Sequence, residues 1–104
     1  MAEYRIELTA KAKRDLQEIH AYIAKNLKEP GIADKLLDSI ETEVLTLGQM
    51  PRRNALERDE QLKQRGLRKL VVDNYLVFYT VRETAETVFI VRILYARRDW
   101  MNLL

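Results

Sequence analysis

Cations are written into the apolar runs of the carboxy-terminal third, and they are the side chains with the clearest chemical potential. The stretch Gly66-Leu67-Arg68-Lys69-Leu70-Val71-Val72 carries two. Val88-Phe89-Ile90-Val91-Arg92-Ile93-Leu94-Tyr95-Ala96-Arg97-Arg98-Asp99 carries three more, and Arg65 precedes both. Arg92 is the most informative of them. Held between Ile90 and Leu94 it needs an acidic residue or a phosphate, because an isolated interior cation is costly. Trp100, just past this stretch, is placed to plug the core edge or to meet a partner. Other chemistries are poorly served. His20 stands far along the chain from the basic strands and reads as a surface or packing histidine, and Ser39 is the only serine and falls mid-helix. With one histidine, no cysteine, no carboxylate run resembling a calcium loop and no glycine-rich phosphate cradle, neither a metal nor another cofactor is expected.

Charge is unevenly divided. Residues 1–50 hold 7 Lys+Arg against 9 Asp+Glu, and residues 51–104 hold 11 against 7, so a net charge of +2 conceals a basic second half. Such a half can present an attractive face to a polyanion or to an acidic protein. The chain of 104 residues, 47% hydrophobic and 33% charged with 3 Gly and 2 Pro, is expected to be one domain spanning residues 1–104. The amino-terminal Met1-Ala2-Glu3-Tyr4-Arg5 lacks the apolar core of a signal peptide, and no apolar run approaches membrane-spanning length. A cytoplasmic protein with no membrane partner is therefore expected.

The elements that must position these cations follow from periodicity. Tyr4-Arg5-Ile6-Glu7-Leu8 alternates as a strand with one buried face, and Thr9 stands where a helix N-cap belongs. Ala12, Leu16, Ile19, Ile23 and Leu27 line one stripe of a first helix, which Pro30-Gly31 is expected to end. Ala33, Leu36, Leu37, Ile40, Val44 and Leu47 mark a second helix, stopping near Gly48. Residues 49–65 are charged and weakly periodic, with a helical turn expected around Glu57 to Lys63. Three runs rich in β-branched and aromatic residues, broken at Asp73-Asn74 and again before Val88, then read as an antiparallel meander. The architecture is α+β, in the order β-α-α-β-β-β, with a helical hairpin packed on one face of a twisted antiparallel sheet. The helices cover one face only. The other, edged by Lys69, Arg92 and Arg97, is expected to be a binding concavity or a dock for another chain.

This order, together with Tyr4, Ala10, Asp15-Leu16, Ile19, Tyr22-Ile23, Gly66-Leu67-Arg68-Lys69-Leu70, Tyr75-Leu76-Val77-Phe78-Tyr79 and Arg92-Ile93-Leu94-Tyr95-Ala96-Arg97-Arg98-Asp99, resembles the toxins of the RelE/ParE superfamily over nearly the whole chain. The resemblance implies a toxin of a type II toxin–antitoxin pair, neutralised in a hetero-oligomer with its cognate antitoxin. It also implies one of two targets. In the nuclease branch, a ribosome-dependent mRNA interferase, catalysis would fall to Lys69, Arg97 and Tyr95, with Arg65, Arg68, Arg92, Arg98 and Trp100 holding phosphate or partner. Metal-free cleavage of RNA needs an acid, a base and cations for the charge developing on phosphate. Two positions usually cationic in that branch are Leu67 and Leu76 here, and the ending Tyr95 to Asp99 looks more like the ParE branch, which poisons DNA gyrase without a nuclease site. A relic that only binds antitoxin is the third expectation.

Overall fold

The computed structural model describes residues 3–104; Met1 and Ala2, part of the stretch read above as lacking a leader's apolar core, lie outside the described residues. Strand β1 (Arg5–Leu8) leads into helix α1 (Ala10–Ala21), a π-turn (Tyr22–Asn26) and helix α2 (Pro30–Leu45). Two 3-10 turns (Thr46–Gly48 and Pro51–Arg53) and the short helix α3 (Glu60–Gln64) carry the chain to strands β2 (Arg68–Val72), β3 (Tyr75–Arg82) and β4 (Thr87–Tyr95). A last 3-10 turn spans Trp100–Leu103.

The four strands form one sheet in the order β1-β4-β3-β2. Strands β2, β3 and β4 make the expected meander, but β1 runs parallel to β4, so the sheet is mixed rather than antiparallel. The crossover through two helices explains this: it returns the chain to the far end of the sheet, and the last strand slots beside the first. Thr9 caps α1 as its position foretells, accepting from the Ala12 N–H at 3.1 Å, and its hydroxyl donates to Val91 O at 2.9 Å. Gly48 lies against the start of β1, where Tyr4 N–H donates to its carbonyl at 2.7 Å. A Cβ there would meet Tyr4 O at 3.2 Å, so this approach favours glycine.

The hairpin departs from expectation at its tip. After Ala21 the backbone widens into the π-turn, with Leu27 N–H bonding to Tyr22 O, and the extra residue rotates Leu27 off the buried stripe that Ile23 still occupies. Pro30 does not end the first helix; it opens the second at the first turn, where its missing N–H costs nothing.

Apolar residues pack on both faces of the sheet. Beneath the helices lie Ala12, Ile40, Val44, Leu47, Leu70, Val72, Val77, Tyr79, Val88, Ile90 and Ile93. On the other face Leu62, Leu67, Leu76, Phe78 and Leu94 are buried under Trp100, Leu103 and Leu104. That second face is thus not an open trough: the chain closes it with α3 and its own carboxy-terminal turn. Strand β4 also bulges at Val91, where the pairing steps from Phe78↔Arg92 to Tyr79↔Ile90, so strict alternation along this strand fails.

Tyr79 ties the basic loop to the core. Its hydroxyl donates to Pro51 O at 2.7 Å and accepts from Asn54 Nδ2 at 3.1 Å. Burial pushes this phenol above the ordinary tyrosine range, against smaller lowering by Asn54, Arg68 and Arg53. Because the fold favours the neutral form, its contribution is full below the ordinary phenol range of about pH 10 and is lost as pH rises through the folded value. Tyr79→Phe should therefore blunt the loss of stability in an alkaline denaturation series. At neutral pH it should cost about 1–3 kcal/mol, because Pro51 O loses its donor.

Candidate functional site

The cations singled out in the sequence are dispersed over both sides of the sheet, and most are occupied. Arg92 is the anchor. Its Nε and Nη2 donate to Asp15 Oδ2 and Oδ1 at 2.8 and 2.9 Å, and its Nη1 donates to Leu103 O at 2.8 Å. Asp15 comes from α1, on the side that faces β4 beyond the point where β1 stops, and its Oδ2 also accepts the Ile93 N–H at 2.9 Å. The pair is largely withdrawn from water. Hydrogen bonding to Asp15 holds the guanidinium above its ordinary value, against the opposing effect of burial. The interior arginine has found its acid within the chain.

Arg68 and Lys69, adjacent in β2, leave the sheet in opposite directions. Arg68 goes to the helix side and donates to Asn54 O at 2.6 Å, holding the basic loop. Lys69, opposite Phe78, lies on the second face, 5.5 Å from the Trp100 ring centre and 3.7 Å from a carboxylate oxygen of Glu57. Trp100 itself packs on Phe78 with ring centres 5.0 Å apart. Arg65 Nη1 donates to Leu104 O at 2.8 Å. Arg65, Lys69 and Arg92 thus meet around one feature, the carboxy-terminal turn that Trp100 begins, and hold it down.

Tyr95 belongs to the other side. It pairs with Tyr75, its ring centre 5.6 Å away, and both line a hollow beneath the hairpin tip with Tyr22 and Arg98. Burial, reinforced by Tyr95 and Tyr22, raises the Tyr75 phenol above its ordinary value. Arg97 and Arg98 are exposed in the turn after β4, and neither side chain makes an ion pair or hydrogen bond among the described residues. Lys69 and Tyr95 therefore project from opposite faces, and no common site for a phosphate and a proton donor forms between them.

Asp15 and Asn54 escaped the sequence reading as site-shaping residues. For Asp15 a signal existed: it falls three residues after Ala12 and four before Ile19, a carboxylate on the buried side of an amphipathic helix, while Arg92 called for an acid. Nothing comparable marked Asn54. A second feature not foreseen is an aliphatic groove of about 660 Å³ between α1, α2 and β1, lined by Ile6, Leu8, Leu16, Leu37, Val44 and Leu45 among others.

A family model described as the ParE toxin of type II toxin–antitoxin systems, parDE, matches residues 6–100. The chain belongs to this family. Solved structures share the fold. A chain of the chromosomal ParDE system from P. aeruginosa superposes with a TM-score of 0.75 at 23% identity, over 93% of this chain and 100% of that one. A chain of the RelBE2 toxin–antitoxin complex from Mycobacterium tuberculosis gives 0.63 at 23% identity, over 91% and 93%. A mutant of the E. coli toxin RelE in the free state gives 0.68 at 12% identity, over 97% and 92%. No curated protein matches the sequence. The ParE family membership makes the chain the toxin component of a type II toxin–antitoxin system, built on the scaffold that RelE toxins also use.

Proposed function

We propose that this ParE-family toxin arrests growth by poisoning DNA gyrase in the cytoplasm, with no nuclease chemistry, and that a cognate antitoxin neutralises it in a complex. The antitoxin is supported by the family description and by the ParDE and RelBE2 assemblies in which similar chains occur. The choice of target rests chiefly on one observation: Lys69 is held over the Trp100 ring beside Glu57, while Tyr95 stands on the opposite face. Cleavage of RNA would need cations and a proton-transfer group converging on one phosphate. Leu67 and Leu76, buried in the second-face core, add no cation to that side.

Expression without antitoxin decides the matter. Inhibition of supercoiling by the purified chain, with DNA damage and intact transcripts in arrested cells, supports the proposal. Transcript cleavage near start codons overturns it in favour of an mRNA interferase, and the absence of any arrest by a folded chain would mark a relic. Lys69→Ala sharpens the test. A partly exposed ion pair contributes at most about 1 kcal/mol, so the variant should fold and arrest growth within about twofold of the parent. A nuclease built on Lys69 would be disabled by the same change.

A further inference from the structure

Among the described residues eight large apolar side chains are exposed, and four of them, Tyr22, Leu27, Ile32 and Tyr95, line a single hollow with Tyr75 and Arg98. Their exposures run from 39% to 56%, so each leaves roughly half its surface in water. Leu45, Met50, Val71 and Met101 do not share that hollow. The concentration has a structural cause. The π-turn swings Leu27 outward, Glu29 N–H closes back on Ile23 O, and Lys28 adopts a left-handed φ of 55°. Such turns and such backbone are costly to maintain and cluster where a surface is used. A regular helix continuing through this segment would have buried Leu27 along the stripe instead.

The hollow is lined by Glu18 and Arg98, with Asp15 taken up by Arg92, and the neighbouring segments of chain add further cations. Lys25 and Lys28 come from the same segment as Tyr22 and Leu27, Lys35 lines the adjoining hollow with Ile32, Tyr75 and Tyr95, and Arg97 and Arg98 follow Tyr95 in the chain. All five are exposed, and none makes an ion pair among the described residues, against Glu18, Glu29 and Asp73 nearby. Tyrosine and arginine around an apolar centre, edged by free cations, is the composition of a transient protein interface in which charge steers the encounter. The aliphatic groove at the root of the hairpin, richer in Leu and Ile, is a different kind of surface and suits a more permanent partner.

We propose that the hairpin tip, centred on Tyr22, Leu27, Ile32 and Tyr95, is the surface by which this toxin docks its target, and that the target presents there an apolar ridge flanked by carboxylates. This rests on the gyrase reading above. The two aliphatic side chains and the mutually packed Tyr75 and Tyr95 rings favour a protein over stacked nucleobases.

The test uses three full-length variants: Tyr22→Ser with Ile32→Ser, Lys25→Glu with Lys35→Glu, and Val71→Ser as an equally exposed change elsewhere. Each is measured for folding, for antitoxin affinity, for binding to DNA alone and for inhibition of gyrase supercoiling. The first two should need about tenfold more protein or beyond for the same inhibition, equivalent to about 1.4 kcal/mol of binding. Antitoxin affinity should hold within about threefold, and Val71→Ser should inhibit like the parent. Loss of antitoxin affinity with inhibition intact would overturn the proposal by assigning the tip to the antitoxin. Loss of DNA binding in step with inhibition would overturn it in favour of a nucleic-acid surface. Failure of the parent chain to inhibit gyrase sinks the target reading alone. The tip is then judged by growth arrest: arrest lost in both tip variants but kept in Val71→Ser supports it, and arrest kept in all three overturns it.

Discussion

Asp15→Ala is expected to destabilise the toxin by about 3–5 kcal/mol, the range for removing one partner of a buried ion pair. Three hydrogen bonds end on this carboxylate, two from Arg92 and one from the Ile93 backbone. Its loss leaves the Arg92 Nε and Nη2 donors and the Ile93 amide without acceptors where water has little access, with only the Arg92 Nη1 bond to Leu103 O remaining. At about 4–8 °C per kcal/mol for a domain near this size, the melting temperature should fall by about 12–40 °C. The pair itself need not be favourable relative to apolar packing, because the desolvation of two charges offsets much of their attraction. Asp15→Leu combined with Arg92→Met should therefore recover most of the loss. Thermal unfolding of the parent, the single variant and the double variant measures all of this. A single variant within about 1 kcal/mol of the parent would show that Arg92 had been rescued by solvent.

Arg92 also illustrates what the sequence can and cannot disclose. That an arginine between Ile90 and Leu94 required an anion was readable from residue types, and so was Asp15 as a carboxylate on the buried side of a helix. Their pairing depended on α1 crossing β4 just past the end of β1, which no periodicity encodes. The direction of β1 was hidden for a related reason: alternation reports which side of a strand is buried and is silent on whether its neighbour runs with it or against it. The spacing of Ile23 and Leu27 is correct for an α-helix, so a single inserted residue in the backbone path was invisible, and with it the apolar hairpin tip. The second face was half readable. The sequence calls for a second face that is a binding concavity or a dock, and it places Trp100 to plug the core edge or to meet a partner. Only the folded chain shows Arg65 and Arg92 gripping the carbonyls of Leu104 and Leu103 and so choosing the body.

That closure makes Trp100→Ala the most revealing substitution on the second face. Truncating a fully buried Trp typically costs about 3–5 kcal/mol, and Trp100 is only partly covered, so about 2–3 kcal/mol is expected in chemical denaturation. The lost contacts are specific: the ring over Phe78 at 5.0 Å and the face beneath Lys69 at 5.5 Å. Phe78, Leu76 and Leu94, now buried, would gain water contact, and the variant should bind a hydrophobic dye that the parent excludes. The same change frees Lys69 and uncovers the cationic face that a nuclease would need. If RNA chemistry were merely masked by the carboxy-terminal turn, Trp100→Ala would unmask it, and transcript cleavage would appear in primer-extension analysis. On the gyrase reading it should not appear, because Tyr95 remains on the far side of the sheet whatever happens to the turn. Growth arrest should then decline only in proportion to the folded fraction. Opening the face thus separates a toxin that hides its nuclease site from one whose sheet never assembled it.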